Sequence, residues 1–132
     1  MKYFIVFYAL IAMAFAQWTR EDLLKHRKKC LKYENVPKSV IEKLDKRQYN
    51  KDLGPEGRCY LRCLGLKSGA WDDTNGFDIE KSYQILLSTG FNVNKENLQK
   101  CITTNTGNDD KCTWAANNLM CLWTNKYISW DQ

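Results

Sequence analysis

Residues 59–66 read Cys59-Tyr60-Leu61-Arg62-Cys63-Leu64-Gly65-Leu66. Upstream, Leu53-Gly54-Pro55 marks a turn, and Pro55 suits the opening of a helix, where a missing amide proton costs nothing. The spacing predicts a helix from Pro55 through Cys59, Cys63 and Leu66. Cys59 and Cys63 then stand one turn apart on one face, with Cβ vectors parallel rather than converging. They cannot bond to each other. Such a helix offers two thiols to the rest of the chain, and the other cysteines decide what it is tied to.

Those are Cys30, Cys101, Cys112 and Cys121, giving C-x28-C-x3-C-x37-C-x10-C-x8-C over 132 residues, a length that fits one domain. The start of the chain supplies the compartment. Lys2 precedes an uncharged apolar run, Phe4 to Phe15, and Ala14-Phe15-Ala16 has the small-x-small form that signal peptidase cleaves after. Residues 1–16 therefore read as a signal peptide and 17–132 as the mature, secreted domain; the run falls short of the roughly 20 apolar residues of a membrane span. No stable membrane insertion is expected, and there is no Asn-x-Ser/Thr sequon. Six cysteines in a small secreted domain imply three disulfides, chosen from fifteen pairings. Cys112 and Cys121, about 13 Å apart along a helix, are out of reach of each other. With that pair and Cys59–Cys63 removed, ten pairings stay open.

The rest of the chain is helical in pattern. Thr19 can cap a first helix, with Glu21 and Asp22 in its first turn, running to about Tyr33. Pro37 suits the first position of a second, striped by Val40, Ile41 and Leu44. Ser68 to Gly76 reads as a loop with its turn at Asn75-Gly76. Asp78 can cap a fourth helix striped by Ile79, Tyr83, Leu86 and Leu87 and stopped by Gly90. A fifth follows from about Asn94 through Cys101 and Ile102, a polar loop spans Thr103 to Asp109, and a sixth runs from about Asp110 to Trp123. Strand alternation is nearly absent. The fold class is all-α, with six helices.

Composition removes several functions. Hydrophobic residues make up 44% of the chain and only two prolines occur, which excludes a disordered or collagen-like protein. His26 is the sole histidine, so zinc modules with two His ligands fail. It sits in Lys25-His26-Arg27-Lys28, which reads as a solvated helix face, and no Gly-x-Ser-x-Gly nucleophile motif occurs. Asp73-x-Asn75-Gly76 looks like part of an EF-hand, but it would put Trp71 and Ser82 at the first and last ligand positions. No enzyme, metal or cofactor is expected. Residues 20–67 carry 14 basic against 7 acidic side chains, and residues 68–132 carry 5 against 8. Lys25, Arg27, Lys28, Lys29 and Lys32 interleave with Leu23, Leu24 and Leu31 as an amphipathic surface helix does, and nothing suggests a base-stacking platform for nucleic acid.

The x3 gap before Cys63 and the x8 gap before Cys121, together with the longer gaps, resemble the insect odorant-binding proteins. Cys63-Leu64-Gly65-Leu66, then Trp71-Asp72-Asp73 and Gly76-Phe77-Asp78, are similar to that family's third helix and following loop. The resemblance covers the whole mature chain. It implies a disulfide-stapled six-helix bundle enclosing an apolar pocket, with the pairing Cys30–Cys63, Cys59–Cys112 and Cys101–Cys121. It also implies a carrier of small hydrophobic ligands such as odorants or pheromones, a monomer or weak homodimer, with a sensory-membrane receptor as an admissible partner.

Given such a pocket, the expected lining is Ile79, Tyr83, Leu86 and Leu87 from the fourth helix and Trp114, Leu119 and Trp123 from the sixth. The tail adds Tyr127, Ile128 and Trp130, and aromatic residues at this spacing suit a wall closing one mouth, with Asp131 and Gln132 left in water. Two rivals stand beside the carrier. A salivary or haemolymph relative that captures biogenic amines needs a carboxylate in the pocket, whereas Asp78, Glu80 and Glu96 flank helix starts, where capping explains them. A secreted partner- or membrane-binding protein would act through the basic face.

Overall fold

The computed structural model describes residues 18–49 and 52–130; the expected leader and the terminal Asp131 and Gln132 lie outside them. Four helices begin where a short polar side chain takes up an orphan amide. At α1 (Arg20–Tyr33), Thr19 accepts from the Asp22 amide at 3.2 Å, and the Asp22 carboxylate accepts from the Thr19 amide at 3.0 Å. Asp78, Asn94 and Asp110 do the same work, at 2.8, 2.8 and 2.9 Å, for α4 (Ile79–Ser88), α5 (Lys95–Cys101) and α6 (Lys111–Thr124). The second helix, α2 (Lys38–Asp45), starts just after Pro37, and α3 (Gly54–Ser68) has Pro55 in its first turn. Six helices therefore stand among the described residues, as the periodicity predicts.

The three disulfides join these elements across the bundle. Cys30–Cys63 ties α1 to α3, Cys59–Cys112 ties α3 to α6, and Cys101–Cys121 ties α5 to α6, with Cα separations of 5.8, 4.5 and 5.5 Å. No free thiol is left among the described residues. Such bridges contribute about 2–4 kcal/mol each. Helix α3 also makes its most extensive packing with α6. One apolar cluster gathers Val40, Leu44, Leu53, Tyr60 and Leu61 with Cys30 of α1 and Ala116 of α6. A second gathers Ala70, Trp71, Phe77 and Trp114, and a third gathers Val93, Leu98, Leu122 and Ile128.

Two short antiparallel ladders depart from the all-helical pattern. β1 (Trp71–Asp72) pairs with β2 (Gly76–Phe77) inside the expected loop, and β3 (Phe91–Asn92) pairs with β4 (Ser129–Trp130). Two-residue strands are too short for alternation to register. The second ladder changes the course of the tail. After α6, Lys126 takes φ +58° and the Tyr127 amide donates to the Leu122 carbonyl at 2.9 Å, so the chain turns back across the bundle instead of extending the helix.

The β1–β2 hairpin also answers the EF-hand-like motif. Asp72 accepts from the amides of Thr74 and Asn75 at 2.7 and 2.9 Å, closing the turn. Asp73 pairs with the Arg62 guanidinium of α3, whose Nε donates to it at 2.7 Å, and accepts from the Trp71 indole at 2.7 Å. The Arg62 hydrogen bond, aided by the indole and opposed by partial burial, holds the Asp73 carboxyl at about 2, against an ordinary value near 3.8. A depressed carboxylate pKa adds stability that is complete above the unfolded value and is lost as pH falls toward the folded one. Asp73 should therefore contribute fully at neutral pH and lose its contribution between about pH 4 and 2. Urea titrations across that range should show Asp73→Asn with a flatter acid dependence than the parent; parallel curves would remove Asp73 from the acid response.

Candidate functional site

A cavity of about 170 Å³ opens between α1, α3, α4, α6 and the returning tail. Its walls follow from helical spacing. On α4, Ser82, Ile85, Leu86 and Thr89 fall at i, i+3, i+4 and i+7 and present one face to it. α6 adds Asn118, Leu119, Leu122 and Trp123, while α3 adds Tyr60, Leu61, Leu64 and Gly65. Leu23 and Arg27 come from α1, and Trp18 stands just before it.

The wall next to the tail is aromatic. Tyr49 stacks on Trp123 at 4.5 Å between ring centres, Phe91 meets Trp123 edge-on at 5.9 Å, and Phe91 meets Trp130 edge-on at 4.3 Å. Edge-to-face and offset pairs in this range are worth about 0.5–1.5 kcal/mol beyond the area they bury. The guanidinium groups of Arg20 and Arg47 lie 4.6 and 4.9 Å from the Trp130 ring centre. The β3–β4 ladder, the aromatic chain and these cations hold the tail in place together.

The cavity is close to neutral. Its one charged lining residue, Arg27, is paired with the Asp45 carboxylate, and no Asp or Glu lines it among the described residues. Burial pushes the Tyr60 and Tyr49 phenols above their ordinary value, so both stay protonated. Both polar atoms of the Asn118 side chain are engaged: its oxygen accepts from the Thr103 amide at 2.8 Å and its nitrogen donates to the Trp114 carbonyl at 3.0 Å. No histidine lines the cavity, and among the described residues no group of His, Cys, Asp and Glu is placed to hold a metal ion.

Of the residues expected from sequence, Leu86, Leu119, Trp123, Ile128 and Trp130 are in the lining. Ile79, Tyr83, Leu87, Trp114 and Tyr127 are placed elsewhere. Ile79 and Tyr83 pack against the third core cluster, where the Lys95 ammonium lies 5.1 Å from the Tyr83 ring centre. Leu87 is 40% exposed. Trp114 is buried against Trp71, its indole donating to the Thr103 carbonyl at 2.8 Å, and Tyr127 lies under Lys100. An apolar-stripe count on α4 skips Ser82 and Thr89 because they are polar, although i, i+3, i+4, i+7 spacing links them to Ile85 and Leu86. His26 also departs from its expected solvated position. It stacks on Trp18 at 4.5 Å, and burial, followed by Lys29 and Lys67, holds its pKa below the ordinary value near 6.5.

Six helices stapled by three disulfides around an apolar cavity define a small helical container, a class suited to holding a guest molecule. Residues 12–125 match the PBP/GOBP family. Over 128 residues the chain is 31% identical to general odorant-binding protein 99a of Drosophila melanogaster, covering 92% of this chain and 89% of that protein. Over 129 residues it is 32% identical to odorant-binding protein 22 of Aedes aegypti, covering 95% of this chain and 91% of that one. The chain belongs to the PBP/GOBP family.

Gly65 shows how closely the cavity floor is built. A Cβ there would stand 2.6 Å from the Trp71 Cβ and 2.9 Å from Phe77 Cε1. The Trp71 Cβ is anchored to backbone and cannot swing aside. Gly65→Ala should push α3 off the β1–β2 hairpin and lower stability by about 1–3 kcal/mol. Thermal unfolding of the oxidised protein measures it, and an unchanged midpoint would mean that the two elements separate freely.

Proposed function

We propose that this protein is a secreted carrier that takes one small hydrophobic molecule into the cavity between α1, α3, α4 and α6. One observation carries the reading: an apolar, aromatic-walled space of about 170 Å³ whose lining includes no carboxylate among the described residues. An apolar cavity of about 150 Å³ is enough to take up benzene, so this one suits a compact guest or part of a longer chain. Binding would work by burial, at about 25 cal/mol per Å² of apolar surface removed from water. The membership of the PBP/GOBP family and the names of its odorant-binding relatives support an odorant- or pheromone-like ligand. Three disulfides support an oxidising, extracellular setting, and no helix among the described residues is long and apolar enough to cross a membrane.

The rival readings lose ground on the same wall. An amine carrier needs an anion beside the ligand, yet Asp78 caps α4 and Glu80 pairs with Lys95 at the surface. A hydrolase needs a base beside its nucleophile, and the cavity's serines, Ser68 and Ser82, have neither histidine nor carboxylate beside them in the lining.

The tail is the gate in this reading. Trp130 lies in the cavity wall and is held by Phe91, Arg20 and Arg47. Shortening the chain before Ile128 would also remove a core residue, so a point substitution is the cleaner test. Displacement of the apolar fluorophore N-phenyl-1-naphthylamine should be saturable in the parent protein. Trp130→Ala should keep the helical circular dichroism and release the fluorophore about tenfold faster, equivalent to ~1.4 kcal/mol. Absence of saturable binding in the parent would end the carrier reading, and equal release rates would end only the gate.

A further inference from the structure

Three buried side-chain polar atoms lack a hydrogen-bond partner among the described residues: His26 Nδ1, Arg58 Nε and Ser82 Oγ. Of these, only Ser82 belongs to a residue that lines the cavity. Its residue is 6% exposed, on the α4 face that turns inward. A helical serine ordinarily satisfies itself by donating to a carbonyl of the preceding turn. The neighbouring hydroxyls do so. Ser68 donates to the Gly65 carbonyl at 3.0 Å, Ser88 to the Ile85 carbonyl at 3.1 Å, and Thr89 to the same carbonyl at 2.8 Å.

We infer that Ser82 Oγ is the polar anchor of the ligand site, selecting neutral guests that carry one hydroxyl or carbonyl oxygen on an apolar body. The inference rests on the carrier reading and adds the chemistry of the guest's head. A hydroxyl both donates and accepts, so either an alcohol or a ketone can satisfy it. A buried polar group without a partner is costly, and a ligand oxygen placed on it removes that cost. Charge is disfavoured on both sides. No carboxylate lines the wall for a cation, and the one lining cation, Arg27, is already paired with Asp45. The Asn118 oxygen and nitrogen and the Thr89 hydroxyl each already have a protein partner, whereas Ser82 Oγ is the buried side-chain polar atom of the lining that has none among the described residues. Ser82 keeps both its donor and its acceptor free for a guest.

Competition of n-octanol, the methyl ketone of the same length and n-octane against N-phenyl-1-naphthylamine tests this on the full oxidised protein. The parent should prefer the two oxygen-bearing compounds over the alkane. In Ser82→Ala that preference should fall about fivefold, the size of one neutral hydrogen bond. Ile85→Val trims the same wall without touching a hydroxyl and should keep the preference. An undiminished preference in Ser82→Ala, or equal loss in both variants, overturns the anchor while leaving the carrier reading in place. If the parent binds the fluorophore but none of the three compounds, the anchor is likewise overturned; if it binds neither fluorophore nor compounds, both readings fall.

Discussion

Two half-cystines one helical turn apart, Cys59 and Cys63, send their bonds to different partners: α6 through Cys112 and α1 through Cys30. Because one face of α3 holds both, the spacing and orientation of three helices are set by a single turn of backbone. Cys101–Cys121 then attaches α5 to α6. This frame lets the centre of the bundle stay unfilled. At ~24 cal/mol per Å³, a void of about 170 Å³ costs about 4 kcal/mol, a penalty within the range that one or two bridges offset. Without cross-links the helices would be free to close over the gap.

The basic half of the chain is used more specifically than a solvated face requires. Arg27 pairs with Asp45, Arg62 fastens the β1–β2 hairpin through Asp73, and Arg20 and Arg47 sit over Trp130. Each places a flat guanidinium against a carboxylate or a ring, geometry that lysine matches poorly. The exposed lysines of α1, Lys25, Lys28, Lys29 and Lys32, fit the solvated face that the pattern suggests.

Local chemistry was legible in the sequence; long-range placement was legible only where it was covalent. Thr19 and Asp78 begin helices as their side chains predict, because capping involves residues three apart. The cysteine pairing follows the family resemblance, since spacing by itself leaves ten choices. Ser82 and Thr89 on the inward face of α4 are not legible as lining, because hydrophobicity stands in for burial in a sequence and both are buried yet polar. The β3–β4 ladder joins segments far apart in the chain through two residues each, which leaves no periodic trace. Trp18 and Tyr49 reached the wall by the same kind of long-range packing.

Helix α4 contributes a full inward face to the cavity but carries no cysteine. Its attachments are the Asp78 amide, which donates to the Ala70 carbonyl at 2.8 Å, the Glu80–Lys95 ion pair to α5, and packing against α5 and β3. On this helix, the residues that face the cavity are separate from the cysteines that staple the frame. A substitution at position 82, 85, 86 or 89 alters what the wall offers a guest while every staple remains as it was. For a lineage exposed to changing chemical surroundings, that separation lets ligand preference drift one residue at a time, on a backbone that need not be reinvented.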